Sequence, residues 1–298
     1  MELIFRDIQN VVKKHFPNSE FNTTNVLKWV RGTNHLVYII EVEKNKYVLK
    51  TDYRTIEGFN REIWAYQNFK NWYIPCPKLY FYDDSKDIHP YPYMILEFIE
   101  GEHPEKGDKE SLISMINLGL PIVHSVEIEG FGKINDGKGK NKSWNEFISN
   151  RFEKSFPNIK KNKLLDEELL KKIKKLYKLM EHSLNLKKGK LLLGDLSQNN
   201  FFCKNNKFYK FIDFEGVLSG DPLWNYATLF FFENIFVWPD SIPNTQTNLR
   251  LYYFYLMIIS LWRLWYHHIN GGYKENDVEM IKESVSKLNM LIQIDLPQ

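Results

Sequence analysis

The sequence predicts an α+β protein with a β-rich N-terminal lobe and a mostly helical C-terminal lobe. Two patterns support this prediction: apolar and polar residues alternate as in strands before Gly101, and apolar residues recur at helical spacing after it. The length of 298 residues agrees, because an average domain has roughly 150 residues. We therefore predict an N-terminal lobe over residues 1–97 and a C-terminal lobe over residues 98–298.

The composition excludes several classes of protein. Hydrophobic residues make up 43% and aromatic residues 15% of the chain, too large a share for a disordered protein. The net charge of +3 gives no reason to expect a nucleic-acid or membrane partner. The first residues show no secretory signal pattern, and Cys76 and Cys203 lack the spacing of a zinc site. The sequence thus indicates a cytoplasmic protein with reduced thiols.

The N-terminal lobe is predicted to contain an antiparallel sheet and one helix. Strand-like alternation occurs in five runs, at residues 25–30, 36–43, 47–50, 78–82 and 91–99. Residues 31–35 form the first loop and residues 44–46 a turn. The helix is predicted over residues 56–69, where apolar side chains lie at helical spacing.

The C-terminal lobe is predicted to be mostly helical. Helical spacing of apolar residues occurs in six segments, at residues 109–126, 143–155, 166–184, 222–237, 247–269 and 275–294. The most apolar run, residues 251–266, is shorter than the roughly 20 residues of a membrane span and contains Arg263. It is therefore predicted to be a buried core helix.

A β-hairpin is predicted between residues 201 and 212. Asn205 and Asn206 tolerate the positive φ of a tight turn, and folding there places Asn200 near residue 211. Asn200 and Asp213 then lie at the same open end, and Asp195 enters just before it. Two carboxylates and an amide oxygen suit Mg²⁺, which usually binds together with substrate phosphates. The sequence thus predicts phosphate chemistry.

The spacing from Asp195 to Asn200 and on to Asp213 matches the catalytic loop of protein kinases. There the first aspartate accepts the hydroxyl proton, and the asparagine and the later aspartate hold magnesium. Turn capping by Asp195 and Asn200 is the alternative, and the spacing alone would favour it. The hairpin that joins Asn200 to Asp213 favours catalysis.

Four segments in this order resemble the aminoglycoside phosphotransferase and choline kinase family of small-molecule kinases: Leu193-Gly194-Asp195 to Asn200, Ile212-Asp213-Phe214-Glu215, Gly220-Asp221-Pro222 and Asn225-Tyr226-Ala227. Other similar pieces, such as Tyr47 to Lys50 and Glu97 to Gly101, extend the resemblance over residues 25–235. Within the family, the catalytic loop and Phe230-Phe231-Phe232 look most like hygromycin B phosphotransferases.

The resemblance implies a two-lobed, protein-kinase-like fold and transfer of phosphate from ATP to a hydroxyl group, with Mg²⁺ as cofactor and GTP left open. By position it implies these roles: Asp195 as catalytic base, Asn200 and Asp213 as Mg²⁺ ligands, Lys50 as the contact to the α- and β-phosphates, Glu62 as the partner of Lys50, and the backbone of Glu97 to Ile99 as the adenine site. An exposed lysine and an ordinary helix glutamate are the alternatives for Lys50 and Glu62.

Three of the departures from the family pattern affect residues near the predicted catalytic and phosphate sites. Leu193 stands where the family has histidine, so packing can be kept but the hydrogen bonds cannot. Asn225 replaces an aspartate, and the loop at Gly32 lacks a full G-x-G-x-x-G. These departures leave a non-catalytic, kinase-like binding module as an alternative. Retention of all the implied catalytic, phosphate and metal residues argues against it.

The segment from Asp213 to Asp240 contains five acidic residues and no lysine or arginine. Its negative field predicts a small cationic acceptor. The family resemblance implies that this acceptor is an aminoglycoside-type antibiotic and the protein a resistance enzyme. Glu215, Glu233 and Asp240 are the candidate substrate contacts, with Glu215 also a candidate second metal contact, and solvated carboxylates are the alternative. A metabolic alcohol such as choline, an amino alcohol or a sugar stays an alternative acceptor. The oligomeric state is left open.

Overall fold

A five-stranded antiparallel sheet in the order β1-β2-β3-β5-β4 forms the N-terminal lobe. The computed structural model describes residues 2–32, 35–52, 55–272 and 275–293, so loop residues 33 and 34 and residue 294 of the last predicted helix lie outside the described residues. The strands are β1 (Val26–Arg31), β2 (His35–Val42), β3 (Asn45–Asp52), β4 (Leu79–Asp83) and β5 (Tyr93–Glu97). All five predicted strands are confirmed, with shifted ends.

The prediction of one helix in this lobe is wrong, because two helices pack against the sheet. The predicted helix, α2 (Ile56–Phe69), has the expected bounds. The additional helix, α1 (Glu2–His15), buries Ile8, Val11 and Val12 against the sheet residues Tyr38 and Ile40. So short an apolar stripe is a weak sequence signal, and packing on the sheet stabilises such a helix more than its own propensity does.

The C-terminal lobe is mostly helical, as predicted. Its helices are α3 (Lys109–Ser114), α4 (Leu120–Ser125), α5 (Trp144–Lys161), α6 (Glu167–Met180), α7 (Pro222–Glu233), α8 (Gln246–Ile269) and α9 (Glu275–Gln293). A π-helical segment, Met115–Gly119, separates α3 from α4 within the predicted helix 109–126. Pro121 lies two residues after the end of this segment. Proline lacks an N–H and crowds the preceding turn, which accounts for the wider helix there.

Short strands in this lobe escape the sequence prediction. They form a second five-stranded sheet in the order β6-β9-β12-β7-β8. Its strands are β6 (Glu127–Ile128), β7 (Phe131–Asn135), β8 (Lys138–Asn141), β9 (Gly189–Leu192) and β12 (Leu218–Gly220). With five residues at most, these strands are too short for an alternating pattern to stand out from the sequence.

The apolar run in α8 is the buried core helix that the sequence predicts. Tyr255 on this helix accepts a hydrogen bond from the Trp144 ring and donates one to Asp221, both at 2.9 Å. Asp221 also caps α7 by accepting from the Leu223 N–H at 3.0 Å. Within the described ranges, no helix is long and apolar enough to cross a membrane. The lobe division after Glu97, where β5 ends, stays a prediction.

Candidate active site

A β-hairpin brings the two candidate metal ligands to one end. Its strands are β10 (Phe201–Lys204) and β11 (Lys207–Phe211). Asn205 and Asn206 form the predicted turn, with φ of 52° and 58°. A bulge at Tyr209 in β11 shifts the pairing by one residue, so that the Ile212 N–H donates to the Asn200 carbonyl at 2.9 Å. Asn200 thus lies opposite residue 212, not the predicted 211, and Asp213 follows at once.

Asp195 lies in the loop between β9 and β10. Its carboxylate accepts a hydrogen bond from the Ser197 N–H at 3.1 Å, and the Asn200 side chain donates to the Asp195 carbonyl at 3.3 Å. The carboxylate reaches solvent, yet burial within the surrounding protein raises the pKa of Asp195, and nearby Asp213 adds to the rise. A raised pKa suits a general base, because it brings proton affinity closer to working pH.

Lys50, on β3, joins the two lobes. Its ammonium lies 2.9 and 2.8 Å from the carboxylate oxygens of Glu62 and 2.9 Å from Asp213. Lys50 and Glu62 are both buried. Burial alone would lower the pKa of Lys50, but Asp213 and Glu62 outweigh it and hold the pKa above its ordinary value. The lysine is therefore a fixed positive charge beside Asp213.

Two glycines allow the loops of Asp195 and Asp213 to meet. A Cβ on Gly194 would collide with the backbone of Gly216, so no other residue fits at 194 without moving the loop. Asp213 itself has φ of 64°, a left-handed conformation that is uncommon for aspartate. Such backbone geometry is frequent at functional sites.

The structure adds His35 and Arg61 to the predicted residues. His35 lies 3.0 Å from a carboxylate oxygen of Glu215 and 4.0 Å from Asp213. Arg61 donates to the Glu215 carbonyl at 2.7 Å. Glu215 is thus held by the N-terminal lobe and is not a freely solvated loop carboxylate. A lone histidine after a loop gives no sequence signal. Arg61 precedes Glu62 on α2, and this position could have indicated that Arg61 lies near the active site.

The oxygen-rich end of the hairpin suits a hard cation. Three side chains bring ligand atoms within 4.8 Å of one another: His35, Glu62 and Asp213. The Lys50 ammonium already binds both of these carboxylates, and it would repel a metal ion between them. Asn200 and Asp213 fit Mg²⁺ better. The Asn200 amide nitrogen is used on the Asp195 carbonyl, so its oxygen remains as a ligand.

The segment predicted to receive adenine begins at the end of β5. The Glu97 side chain accepts hydrogen bonds from the Lys78 N–H at 2.9 Å and from the Lys210 ammonium at 2.7 Å. Burial alone would raise the pKa of Glu97, but the bonds from Lys210 and Lys78 lower it below its ordinary value. Ile99 is buried. The side chain of Glu97 is therefore engaged within the protein.

The two remaining predicted residues lie in different surroundings. Glu233, at the end of α7, accepts a hydrogen bond from the Gln198 N–H at 2.8 Å and so contacts the loop of Asp195. Burial raises its pKa. Asp240 is exposed, and among the described residues its hydrogen-bond partner is Asn117, at 3.1 Å. The structure thus brings Glu233, but not Asp240, into contact with the loop of Asp195.

Solved structures of low sequence identity share this fold. Aminoglycoside phosphotransferase APH(4)-Ia has a TM-score of 0.69 at 14% identity over 98% of this chain and 99% of that one. A thermostable mutant of it, in a ternary complex with AMP-PNP and hygromycin B, has a TM-score of 0.68 at 15% identity over 98% and 100%. ADP-bound APH(2'')-Ib has a TM-score of 0.59 at 16% identity over 96% and 98%. At these identities the likeness establishes the fold alone.

The sequence itself gives the family. No curated protein matches the chain significantly. The predicted closeness to hygromycin B phosphotransferases stays a prediction, since the low identities do not separate members of the family. A model of the phosphotransferase enzyme family matches residues 30–247, which include every predicted site residue. The resemblance and the expected enzyme class are thereby confirmed: the chain belongs to the phosphotransferase enzyme family.

Proposed function

We propose that the protein transfers the γ-phosphate of ATP, with Mg²⁺, to a hydroxyl group of a small cationic molecule, first of all an aminoglycoside-type antibiotic. The observation that carries this proposal is the meeting of Lys50, Glu62 and Asp213 beside the loop of Asp195 and Asn200. These are the parts that phosphoryl transfer needs: a fixed cation for phosphate, oxygen ligands for a metal, and a base. The free thiols and the use of ATP suit the cytoplasm.

The face of the sheet around Lys50 supports a nucleotide site. Val37 and Ile39 pair with Lys50 and Val48 across β2 and β3, so all four side chains share one face. The three aliphatic side chains are only partly buried. An adenine ring against them would cover apolar surface, with its edge at the backbone of residues 97–99 and its phosphates toward Lys50. Family relatives in complexes with AMP-PNP or ADP support ATP as the donor.

The proposed reaction assigns the proton to Asp195. The acceptor oxygen attacks the γ-phosphorus, its proton passes to the Asp195 carboxylate, and the bond from phosphorus to the β,γ-bridging oxygen breaks. The products are ADP and a phosphate ester, and the proton then leaves Asp195 for solvent. Asn200 and Asp213 would hold Mg²⁺, which when bound neutralises phosphate charge. Lys50, kept in place by Glu62, would contact the α- and β-phosphates.

The acidic surroundings of Asp195 support a cationic acceptor. Glu233 and Glu215 add carboxylates near the two loops, and Asp240 lies farther along the same acidic segment. A hydroxylated amine would be attracted to this region, and an anionic alcohol would be repelled. The hygromycin B complex of APH(4)-Ia supports an aminoglycoside as the first candidate.

A screen of acceptors tests the proposal. The protein is incubated with ATP and Mg²⁺ together with aminoglycosides, amino alcohols and neutral sugars, and ADP release and phosphorylated acceptor are measured. We expect ester formation with a hydroxylated amine, its loss in Asp195→Asn, and its retention in the exposed turn variant Asp136→Asn. Best turnover of a neutral alcohol would identify a metabolic kinase. Absence of transfer to any acceptor would favour a non-catalytic binding module.

A further inference from the structure

The backbone of Leu193 is held by the side chain of Asn225. The Leu193 N–H donates to the Asn225 amide oxygen at 3.1 Å, and the amide nitrogen donates back to the Leu193 carbonyl at 2.5 Å. Asn225 is completely buried on α7. Because Gly194 and Asp195 follow directly, this pair of bonds fixes the point from which the loop of Asp195 starts.

His124, on α4, completes the arrangement. Its Nε2 lies 3.0 Å from the Asn225 amide oxygen, and its Nδ1 lies 3.4 Å from the Tyr226 hydroxyl. An amide oxygen only accepts, so Nε2 carries the proton and Nδ1 can accept from Tyr226. Burial lowers the pKa of His124 to about 4, although the bond to Asn225 opposes it, so the ring is neutral at physiological pH.

The identity of residue 225 follows from this geometry. A carboxylate there could accept from the Leu193 N–H and from His124, but its second oxygen would face the Leu193 carbonyl oxygen. Two acceptors in contact repel unless one carries a proton. Asparagine supplies the donor that this position needs, and this explains how the chain dispenses with a carboxylate there.

We propose that His124 and Asn225 are positioning residues for Asp195. They supply the hydrogen bonds near the start of the catalytic loop that Leu193, which stands in place of the family's histidine, cannot make. The proposal rests on the proposed function, because it takes Asp195 as the base. His124 orients the amide of Asn225, Asn225 holds the Leu193 backbone, and the loop then presents the Asp195 carboxylate. Leu193 needs only to pack, and its side chain is buried.

The test compares two replacements of His124 in the full chain. His124→Gln keeps an N–H near the position of Nε2, whereas His124→Phe keeps the bulk and removes the donor. We expect His124→Phe to lower kcat by about 10- to 100-fold with little change in KM for ATP, as a misplaced catalytic group does. His124→Gln should retain kcat within about threefold of the wild type. Asn225→Asp should behave like His124→Phe.

Amide hydrogen exchange gives a second readout that needs no substrate. Exchange in the peptide covering residues 193–200 should become at least about tenfold faster in His124→Phe and stay near the wild type in His124→Gln. Thr228→Val is the matched control, because it removes another buried hydrogen bond of α7, to the Trp224 carbonyl at 2.8 Å. It should lower the melting temperature without changing kcat or this exchange.

The outcomes separate this proposal from the proposed function. An inactive wild type would contradict the proposed function, while the exchange rates would still decide the role of His124. Wild-type kcat and exchange in His124→Phe, or equal losses in His124→Phe and Thr228→Val, would overturn the proposal. Should His124→Phe not fold, the near-isosteric Asn225→Asp takes its place, and wild-type kcat and exchange in that variant would overturn the proposal equally.

Discussion

The Lys50 ammonium lies 2.9 Å from a carboxylate oxygen of Asp213, and this contact ties the sheet of the N-terminal lobe to the open end of the hairpin. Glu62 holds the same ammonium at 2.8 Å from within α2. A bound nucleotide and its metal would compete for Lys50 and Asp213. We therefore infer that Lys50 exchanges Asp213 for phosphate oxygens when ATP binds, while Glu62 keeps it in place.

Glu62→Gln should destabilise the protein and weaken ATP binding. It removes a buried carboxylate from a buried lysine, and breaking such a pair costs about 3–5 kcal/mol. The free energy of unfolding in urea and the KM for ATP are the measurements. The control is Glu57→Gln on the same helix, where the exposed carboxylate lies 3.8 Å from Arg61. Equal effects of the two substitutions would contradict the role of Glu62.

Asp195→Asn should lower turnover by about 10²- to 10⁴-fold, as loss of a general base does. ATP binding, followed by the quenching of a fluorescent nucleotide analogue, should survive. The substitution keeps the shape of the side chain, so a loss of both turnover and nucleotide binding would indicate a structural role instead.

The pH profile of the wild type should report the same residue. Burial raises the pKa of Asp195, and the base acts only when it is ionised. As pH falls through this raised pKa, kcat should therefore fall, and it should do so above the ordinary aspartate value of about 3.9. A profile that stays flat down to that ordinary value would contradict the assignment.

Asp213→Asn should weaken binding of Mg²⁺·ATP more than binding of adenosine. The substitution removes a charged metal ligand but leaves the apolar face of the sheet unchanged. Isothermal titration of both ligands measures the difference. Equal weakening of both would mean that Asp213 acts on the fold and not on the metal.

The sequence predicts those parts of the site that one local segment carries. Asp195, Asn200 and Asp213 lie within a single loop and hairpin, and the tolerance of Asn205 and Asn206 for positive φ is enough to place them together. The bulge in β11 was not predictable, because it depends on packing around the hairpin and moves the register by one residue.

Contacts between segments that are far apart in the chain cannot be predicted from a single sequence. His35 lies beside Glu215, which is 180 residues away, and His124 lies beside Asn225, which is 101 residues away. Neither histidine belongs to a local motif, so only the fold assigns it a neighbour. The short strands β6 and β12 are missed by the sequence prediction for another reason, because two or three residues are too few to show any periodicity.

Acid should destabilise the protein through His124. Its pKa is about 4 in the folded protein against 6.5 for the free side chain, so below pH 6.5 the unfolded chain binds the proton first. The contribution of neutral His124 to the free energy of unfolding is complete above pH 6.5 and is lost as pH falls toward 4. The loss between pH 7.5 and pH 5 is about 2 kcal/mol. Urea unfolding at both pH values measures it. In His124→Gln this part of the pH dependence should disappear.

The acceptor's charge should appear in the salt dependence of its KM. Glu233 lies at the loop of Asp195, and a hydroxylated amine attracted by such carboxylates should bind more weakly as salt screens the field. Glu233→Gln should raise KM by about 2- to 5-fold and change kcat little, because the new amide oxygen can still accept from the Gln198 N–H. Asp240→Asn, farther from that loop, should raise KM less. Best turnover of an anionic or neutral alcohol, with a KM independent of salt, would contradict the cationic acceptor and leave the phosphotransferase class standing.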